Sequence, residues 1–247
     1  MTHEPEVDGL QQVGTGVMGF RERTEERYKA ERGRAYHESK RSIPKAAYPW
    51  VARLRAEKIA PYIKAADVVL EYGVGTGWNL AALECKRKMG FDLAMHLEPE
   101  LAEHGIEFVK DIGEVGAGTV DMVICHHVLE HVPNPGNVLE EMRALLRPGG
   151  RLLAFVPYED QRRYLRYDPA EPNHHLYSWN VQTLGNLMAD CGFAIEEGRV
   201  GRFGYDRFTS VWSVRFGLGE RGYRVIRRLV QVAAPMFEVR MVGRKAE

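Results

Sequence analysis

The chain is short of cysteine: three in 247 residues, Cys85, Cys125 and Cys191, with no CxxC pair. An odd, scattered set lying mostly in apolar runs excludes a disulfide framework and a cysteine-based zinc site, and fits buried thiols in a reducing compartment. Long apolar runs are missing too, since nothing approaches the ~20 residues of a membrane-spanning helix. Met1 to Gln12 is polar and lacks the apolar centre of a secretory signal. The expected location is cytoplasmic, with no stable membrane insertion. Charge of one sign is also lacking: 34 Lys plus Arg balance 34 Asp plus Glu, for a formal net charge of 0. No global field favours nucleic acid, so a small-molecule partner is expected and a nucleic-acid partner is not. Internal repeats and low-complexity tracts are absent.

What is present is ordinary globular material, 45% apolar in a chain long enough to bury a sizeable core. One α/β domain with extra segments accounts for it. Residues 1–43 read as a loose or helical N-terminal extension, and 44–247 as the domain. A helix is expected from about Pro44 to Lys64, with Val51, Leu54, Ile59, Tyr62 and Ile63 on one face. Short β-rich runs then alternate with helical ones. Strands are expected at Val68–Leu70, up to Phe91–Asp92, and at Ile106–Val109, Val120–Cys125, Arg151–Val156, Phe193–Val200 and Glu238–Gly243. Helices are expected at Leu80–Lys86, Pro99–Glu103, from Asn134–Pro135, at Val181–Cys191 and at Glu220–Ala234. This alternation implies right-handed crossovers and a parallel sheet covered on both faces.

The most informative segment is Val68-Val-Leu-Glu-Tyr-Gly-Val-Gly-Thr-Gly77, a strand running into three alternate glycines. Glycine permits a tight turn and close approach of a ligand to the backbone, and a helix start would offer free N–H groups. A dinucleotide fingerprint, GxGxxG, needs a sixth-position glycine where Trp78 stands. Glu71, two residues before the first glycine, suits a ligand ammonium better than a pyrophosphate. Asp92 closes the second strand, 21 residues after Glu71, where a carboxylate can accept both hydroxyls of a ribose. Asp111 closes the third strand and can accept from an adenine amino group. Each carboxylate alone reads as a solvated loop charge. Glu71, Asp92, Asp111 and His126 together mark the carboxyl edge of the sheet, where such folds bind ligands.

These pieces resemble the class I S-adenosylmethionine-dependent methyltransferases, in particular the small-molecule group that includes quinone-biosynthesis and sugar methyltransferases. The matching segments are LEYGVGTG (70–77), GFD (90–92), VKDI (109–112), VDMVICHHVLEHVPNP (120–135), LLRPGGRLLAFVP (145–157) and HLYSWNVQTLGNLMADCGF (175–193). The resemblance spans roughly residues 65–200. It implies a doubly wound, Rossmann-like seven-stranded sheet of order 3-2-1-4-5-7-6 with the last strand antiparallel, N-terminal helices and a helical insertion near the C-terminus. It implies S-adenosyl-L-methionine as cofactor, held by Glu71, Tyr72, Gly73, Gly75, Gly77, Asp92, Asp111, Ile112 and His126. Gly73 and Gly75 would lie against the methionine part, Asp92 would hold the ribose, and Asp111 with Ile112 would frame the adenine. The activity implied is methyl transfer to O or N of a small or glycan-like acceptor. The rival readings are a nicotinamide-dependent oxidoreductase and a non-catalytic nucleoside-binding protein on the same fold.

Cys125-His126-His127-Val-Leu-Glu130-His131 follows the fourth strand. A histidine there can take a proton from a hydroxyl or amine, because its pKa lies near working pH. His127 and His131 are the candidate catalytic residues, against the plainer reading of a histidine that packs and caps. Some relatives carry Glu-x-x-Glu-His here, a cluster suspected of binding a divalent cation. This chain has His127-x-x-Glu130-His131, a poorer set for a hard, oxygen-seeking cation, and no metal is expected. Segments 158–177 and 201–235 are expected to cover the pocket; within the first, Asn173-His174-His175 reads as surface loop before pocket lining, and Tyr158, Tyr164, Tyr167 and Tyr177 fit either stacking on a polar ring or amphipathic surface packing. In the 220–234 helix, Tyr223, Ile226, Leu229, Val230 and Ala233 form the apolar face and Arg221, Arg224, Arg227 and Arg228 lie mostly on other faces, in water. The helix is expected to wall the pocket and not to anchor the protein to a membrane.

Overall fold

A computed structural model describes residues 19–40, 42–158, 166–168, 171 and 173–246. Readings placed on residues 1–18 and on 159–165, Tyr164 included, lie outside the described residues. Seven strands form one sheet: β1 (Val68–Tyr72), β2 (Arg87–Phe91), β3 (Glu107–Val109), β4 (Val120–His126), β5 (Leu146–Tyr158), β6 (Phe193–Phe203) and β7 (Met236–Lys245). Their order is β3-β2-β1-β4-β5-β7-β6. The first five run parallel, and β7 lies antiparallel between β5 and β6. The winding direction reverses between β1 and β4, which opens a crevice beyond their carboxyl ends.

Period-two alternation sends neighbouring residues of β4 into two separate cores. Val123 and Cys125 meet Leu139 and Met142 of α5 (Pro135–Leu145) and Leu184 and Met188 of α6 (Val181–Asp190). Met122 and Ile124 meet Ala56 and Ile59 of α3 (Tyr48–Ile59). Each core helix carries its own start signal. The Asn134 side chain accepts from Asn137 N–H ahead of α5, and that of Asn180 accepts from Thr183 N–H ahead of α6. Before α3 come α1 (Phe20–Glu25) and α2 (Ala30–Lys40). The helix read across 44–64 is divided into a 3-10 turn at 45–47, α3, and a second 3-10 turn at 60–62. Pro49 sits in the first turn of α3 and Pro61 in the 3-10 turn behind it, places where the missing N–H costs little.

One expected helix is not there. Leu80 to Lys86 forms turns, with Ala81 N–H bonded to the Gly77 carbonyl and Leu83 N–H to that of Leu80. Nine residues separate Gly77 from Arg87, and they must return the chain to the amino end of the sheet. Five strand residues span about 17 Å at 3.3 Å each, whereas a nine-residue helix reaches only about 14 Å. Lys86 N–H is already on the Asp67 carbonyl at the foot of β1. Leu80 and Leu83 of this segment are buried all the same by the compact turn.

The C-terminal insertion is a helical hairpin. A short α4 (Glu98–Glu103) precedes β3, and α7 (Asp206–Arg215) and α8 (Gly219–Ala233) follow β6. The expected facing of α8 is partly reversed. Tyr223 is fully buried, but Arg224 and Arg227 also turn inward, the first to Glu57 and Glu220 and the second to Asp206. Leu229, read as core, is exposed together with Val225 and Val232, and Arg221 and Arg228 share that outer side. Arg224 is held by Glu220 one turn earlier on α8 and by the distant Glu57, and Arg227 by Asp206 from the start of α7. Among the described residues no helix is long and apolar enough to cross a membrane.

Candidate active site

The glycine turn after β1 is stitched to the end of β2. Gly73 and Val74 N–H donate to the Phe91 carbonyl, at 2.8 and 2.9 Å. Gly75 N–H donates to Asp92 Oδ2 at 2.8 Å, and Ala94 N–H to Oδ1 at 2.9 Å. Gly73, Gly75 and Gly77 all have positive φ. A Cβ on Gly73 would stand 2.3 Å from Val128 Cγ2, so the closeness of this turn to the segment after β4 requires glycine. Asp92 therefore orders the loop, and each of its oxygens keeps a second lone pair for a ligand.

Two cavities meet at the carboxyl ends of the strands. The larger, about 1180 Å³, is bordered by Tyr72, Gly73, Asp92, Asp111, Ile112 and His131, with residues of α1 and α2 on its other side. The smaller, about 200 Å³, is bordered by Arg55, Glu71, Asn79, His126, Asp206 and Arg207. Gly73 and His127 border both. Of the nine residues read as cofactor ligands, Gly75 and Gly77 line neither cavity; Gly75 holds Asp92, and Gly77 packs against Ile106 and Leu101. His126 faces only the smaller one. Asp111 is exposed, and its Oδ1 accepts from Gly113 N–H at 2.9 Å. Tyr72 donates to Glu141 at 2.8 Å, and burial with that carboxylate raises its phenol well above the ordinary value. Glu71 is 1% exposed and accepts from the Asn79 amide.

The histidines have distinct surroundings. His126 Nε2 receives Lys58 Nζ at 3.0 Å and Arg55 Nη1 at 3.2 Å. Burial, then the Lys58 charge, push its pKa well below 6.5, so it is a neutral acceptor. His127 lies stacked on it, with centroids 4.4 Å apart and planes at 9°. His127 has φ +58°, unusual for a non-glycine residue, and its Nε2 lies 3.4 Å from Glu238 Oε2. Burial works to raise the Glu238 carboxyl, yet Lys58 at 2.9 Å and both imidazoles hold it well below the ordinary carboxylate range. His131 Nδ1 lies 2.9 Å from the Tyr28 hydroxyl, with its ring edge-on to His175 at 4.8 Å.

Sequence reasoning missed Arg55, Lys58, Asp206, Glu238 and Tyr28. Asp206 is a buried hub, taking Arg55 at 2.6 Å on one oxygen and Arg227 at 2.6 Å plus the Tyr223 hydroxyl at 3.1 Å on the other. The two guanidinium groups hold it ionised against the cost of burial, with its pKa below the ordinary value. The only sequence signal was Arg55 and Lys58 three apart on an otherwise core-facing helix. Among the described residues, two groups place three possible metal-ligand atoms within 4.8 Å of one another: His126, His127 and Glu238, and Glu130, His131 and His175. The Lys58 and Arg55 charges at His126 oppose a cation in the first.

A doubly wound sheet of this order, with a glycine turn and carboxylates at three successive strand ends, defines the class I methyltransferase architecture. The chain belongs to the methyltransferase-domain family, whose model matches residues 43–197. It is 30% identical over 115 residues to the ubiquinone biosynthesis O-methyltransferase of Xanthomonas axonopodis pv. citri (strain 306), a match covering 40% of this chain and 47% of that protein. The chain thus spans about half the length of the curated relatives it matches. Among solved structures it resembles Burkholderia thailandensis 1,6-didemethyltoxoflavin-N1-methyltransferase, with TM-score 0.56 and 21% identity over 87% of this chain and 85% of that one. It also resembles Haemonchus contortus phosphoethanolamine N-methyltransferase 2, with TM-score 0.58 and 16% identity over 94% and 61%.

Proposed function

We propose that the protein is an S-adenosylmethionine-dependent methyltransferase acting on O or N of a small-molecule acceptor, glycan-like ones included. The observation that carries this reading is the convergence of Glu71, Gly73, Asp92 and Asp111 on two cavities that meet at His127. The donor set fits the cofactor: carboxylates for the ribose and the ammonium, Ile112 and Phe91 for an apolar ring, and a glycine turn that a Cβ would block. Asp92, with Asp111 and Ile112, would hold the nucleoside in the larger cavity, and Glu71 the amino-acid end toward the smaller one. At about 1180 Å³ the larger cavity exceeds what one drug-sized ligand needs, about 300–1,000 Å³, and leaves room for an acceptor beneath α1 and α2. We count those helices in the catalytic unit.

When bound, the cofactor supplies an electrophilic methyl group. The chain's own task is alignment, exclusion of water and removal of the acceptor's proton. His127 is assigned as the base, because it borders both cavities and Glu238 orients its ring, as a carboxylate orients the base in nucleophile-activating sites. His131, paired with Tyr28, is the second candidate and faces only the larger cavity. The similarity to ubiquinone biosynthesis O-methyltransferases supports O-methylation of a phenolic acceptor as the first class to assay. Incubation of the protein with a methyl-labelled donor and a metabolite extract tests the reading: the expected result is label in a product heavier by one methyl group, with stoichiometric S-adenosylhomocysteine. Absence of both products would contradict it.

A further inference from the structure

The outer side of the α7–α8 hairpin carries more exposed apolar surface than a solvated helix pair needs. On α7 and at its C-cap, Phe208, Trp212 and Phe216 recur every four residues and stand as a ladder, with neighbouring rings 5.9 and 5.2 Å apart. All are exposed, as are Val211 and Leu218. On α8, Val225, Leu229 and Val232 are exposed by 59, 64 and 58%. At 100° per residue, Arg221, Val225, Arg228, Leu229 and Val232 fall within about 100° of one another, on one side of α8. The opposite side carries the buried Tyr223, and the buried Gln231 lies on the flank between them.

The ionic groups sharpen this. Across residues 206–233 the only acids are Asp206 and Glu220. Asp206 is buried between Arg55 and Arg227, and Glu220 is bonded to Arg53 and Arg224. Arg215, Arg221 and Arg228 stay exposed among the apolar side chains. The hairpin therefore presents a cationic, aromatic-rich face, although the whole chain has formal net charge 0. A second copy seated on the same face through a twofold axis would set these arginines against their own counterparts. A lipid surface with anionic headgroups takes both features at once: apolar and indole side chains enter the headgroup boundary, while guanidinium groups pair with phosphates.

We infer that the protein docks on anionic membranes through the outer face of α7 and α8, lying on the bilayer without crossing it. This departs from the expectation that the 220–234 helix walls the pocket and does not anchor the protein to a membrane, and it holds whatever the cavities bind. The test is co-sedimentation of the full chain with vesicles of phosphatidylcholine alone and of phosphatidylcholine mixed with phosphatidylglycerol. Binding should rise at least about tenfold with the anionic lipid and fall as salt is raised. Trp212→Ala with Phe216→Ala, and separately Arg221→Gln with Arg228→Gln, should each reduce it about tenfold or more with the circular dichroism spectrum unchanged. Arg147→Gln, outside the hairpin, should leave it intact. Equal binding to both vesicle types, or full binding by both double variants, would overturn the inference. So would a dimer in analytical ultracentrifugation that Trp212→Ala with Phe216→Ala dissociates while vesicles recruit nothing; that result would assign the face to a second copy.

Discussion

The two cavities flanking Gly73 and His127 are built on different principles. The larger is held by backbone: Asp92 accepts from Gly75 N–H of the glycine turn and from Ala94 N–H of its own turn, and Asp111 caps its own turn through Gly113. The smaller is held by charge: Lys58, Arg55, Asp206, Arg227 and Glu238 interlock through side chains buried beneath β4 and β7. A backbone-built site loses one ligand contact when a side chain is removed. A charge-built site loses its balance, since each buried ion depends on the next. His127 stands where the two meet.

The largest expected effect falls on that junction. His127→Ala should lower turnover by about 10²–10⁴ while cofactor affinity is nearly kept, the range for a lost general base. His131→Ala should cost less. Single-turnover kinetics with titrated cofactor separate the two, and a reversed ranking would move the base to His131 and Tyr28. Next is the hub. Asp206→Ala leaves Arg55 and Arg227 buried without their carboxylate and should destabilise the fold by about 3–5 kcal/mol in urea denaturation. A loss near zero would mean that solvent already screens the cluster.

On the backbone-built side, Asp92→Ala should weaken binding of S-adenosylhomocysteine by about 1–3 kcal/mol, read by calorimetry. Unchanged affinity in a folded variant would remove the ribose assignment. The smallest effect is on pH. His126 is neutral when folded, with its pKa well below 6.5, so below that pH the unfolded chain binds the extra proton. Stability should therefore be full above about pH 6.5 and fall on acidification, by at most about 1.4 kcal/mol per pH unit for this group. His126→Gln should flatten that slope in thermal melts between pH 7 and 5; an unchanged slope would place the titration elsewhere.

The difference between the cavities is also a difference in legibility. The glycine turn and its carboxylates are contiguous or lie at strand ends, so the strand running into alternate glycines and the spacing of acids could be read from the sequence. The strand order came from resemblance and not from periodicity. The charge cluster joins residues 151 and 180 positions apart, Arg55 to Asp206 and Lys58 to Glu238. Tyr28 meets His131 across 103 positions. Such pairs leave no local pattern, so Arg227 read as solvated when Asp206 holds it, and the Glu57 contact of Arg224 was equally hidden. The helix expected at Leu80–Lys86 failed for another reason: the nine residues between Gly77 and Arg87 must span the length of β1, which a helix of that length cannot do.

On the proposed reading, the carboxyl ends of β1, β2 and β3 hold an adenosyl sulfur cofactor. Titration calorimetry of the full chain with S-adenosylhomocysteine and, separately, with NADH tests it most directly. Saturable one-to-one binding of S-adenosylhomocysteine is expected, with no heat beyond dilution for NADH. Saturable NADH binding, or a folded protein that ignores S-adenosylhomocysteine, would contradict it.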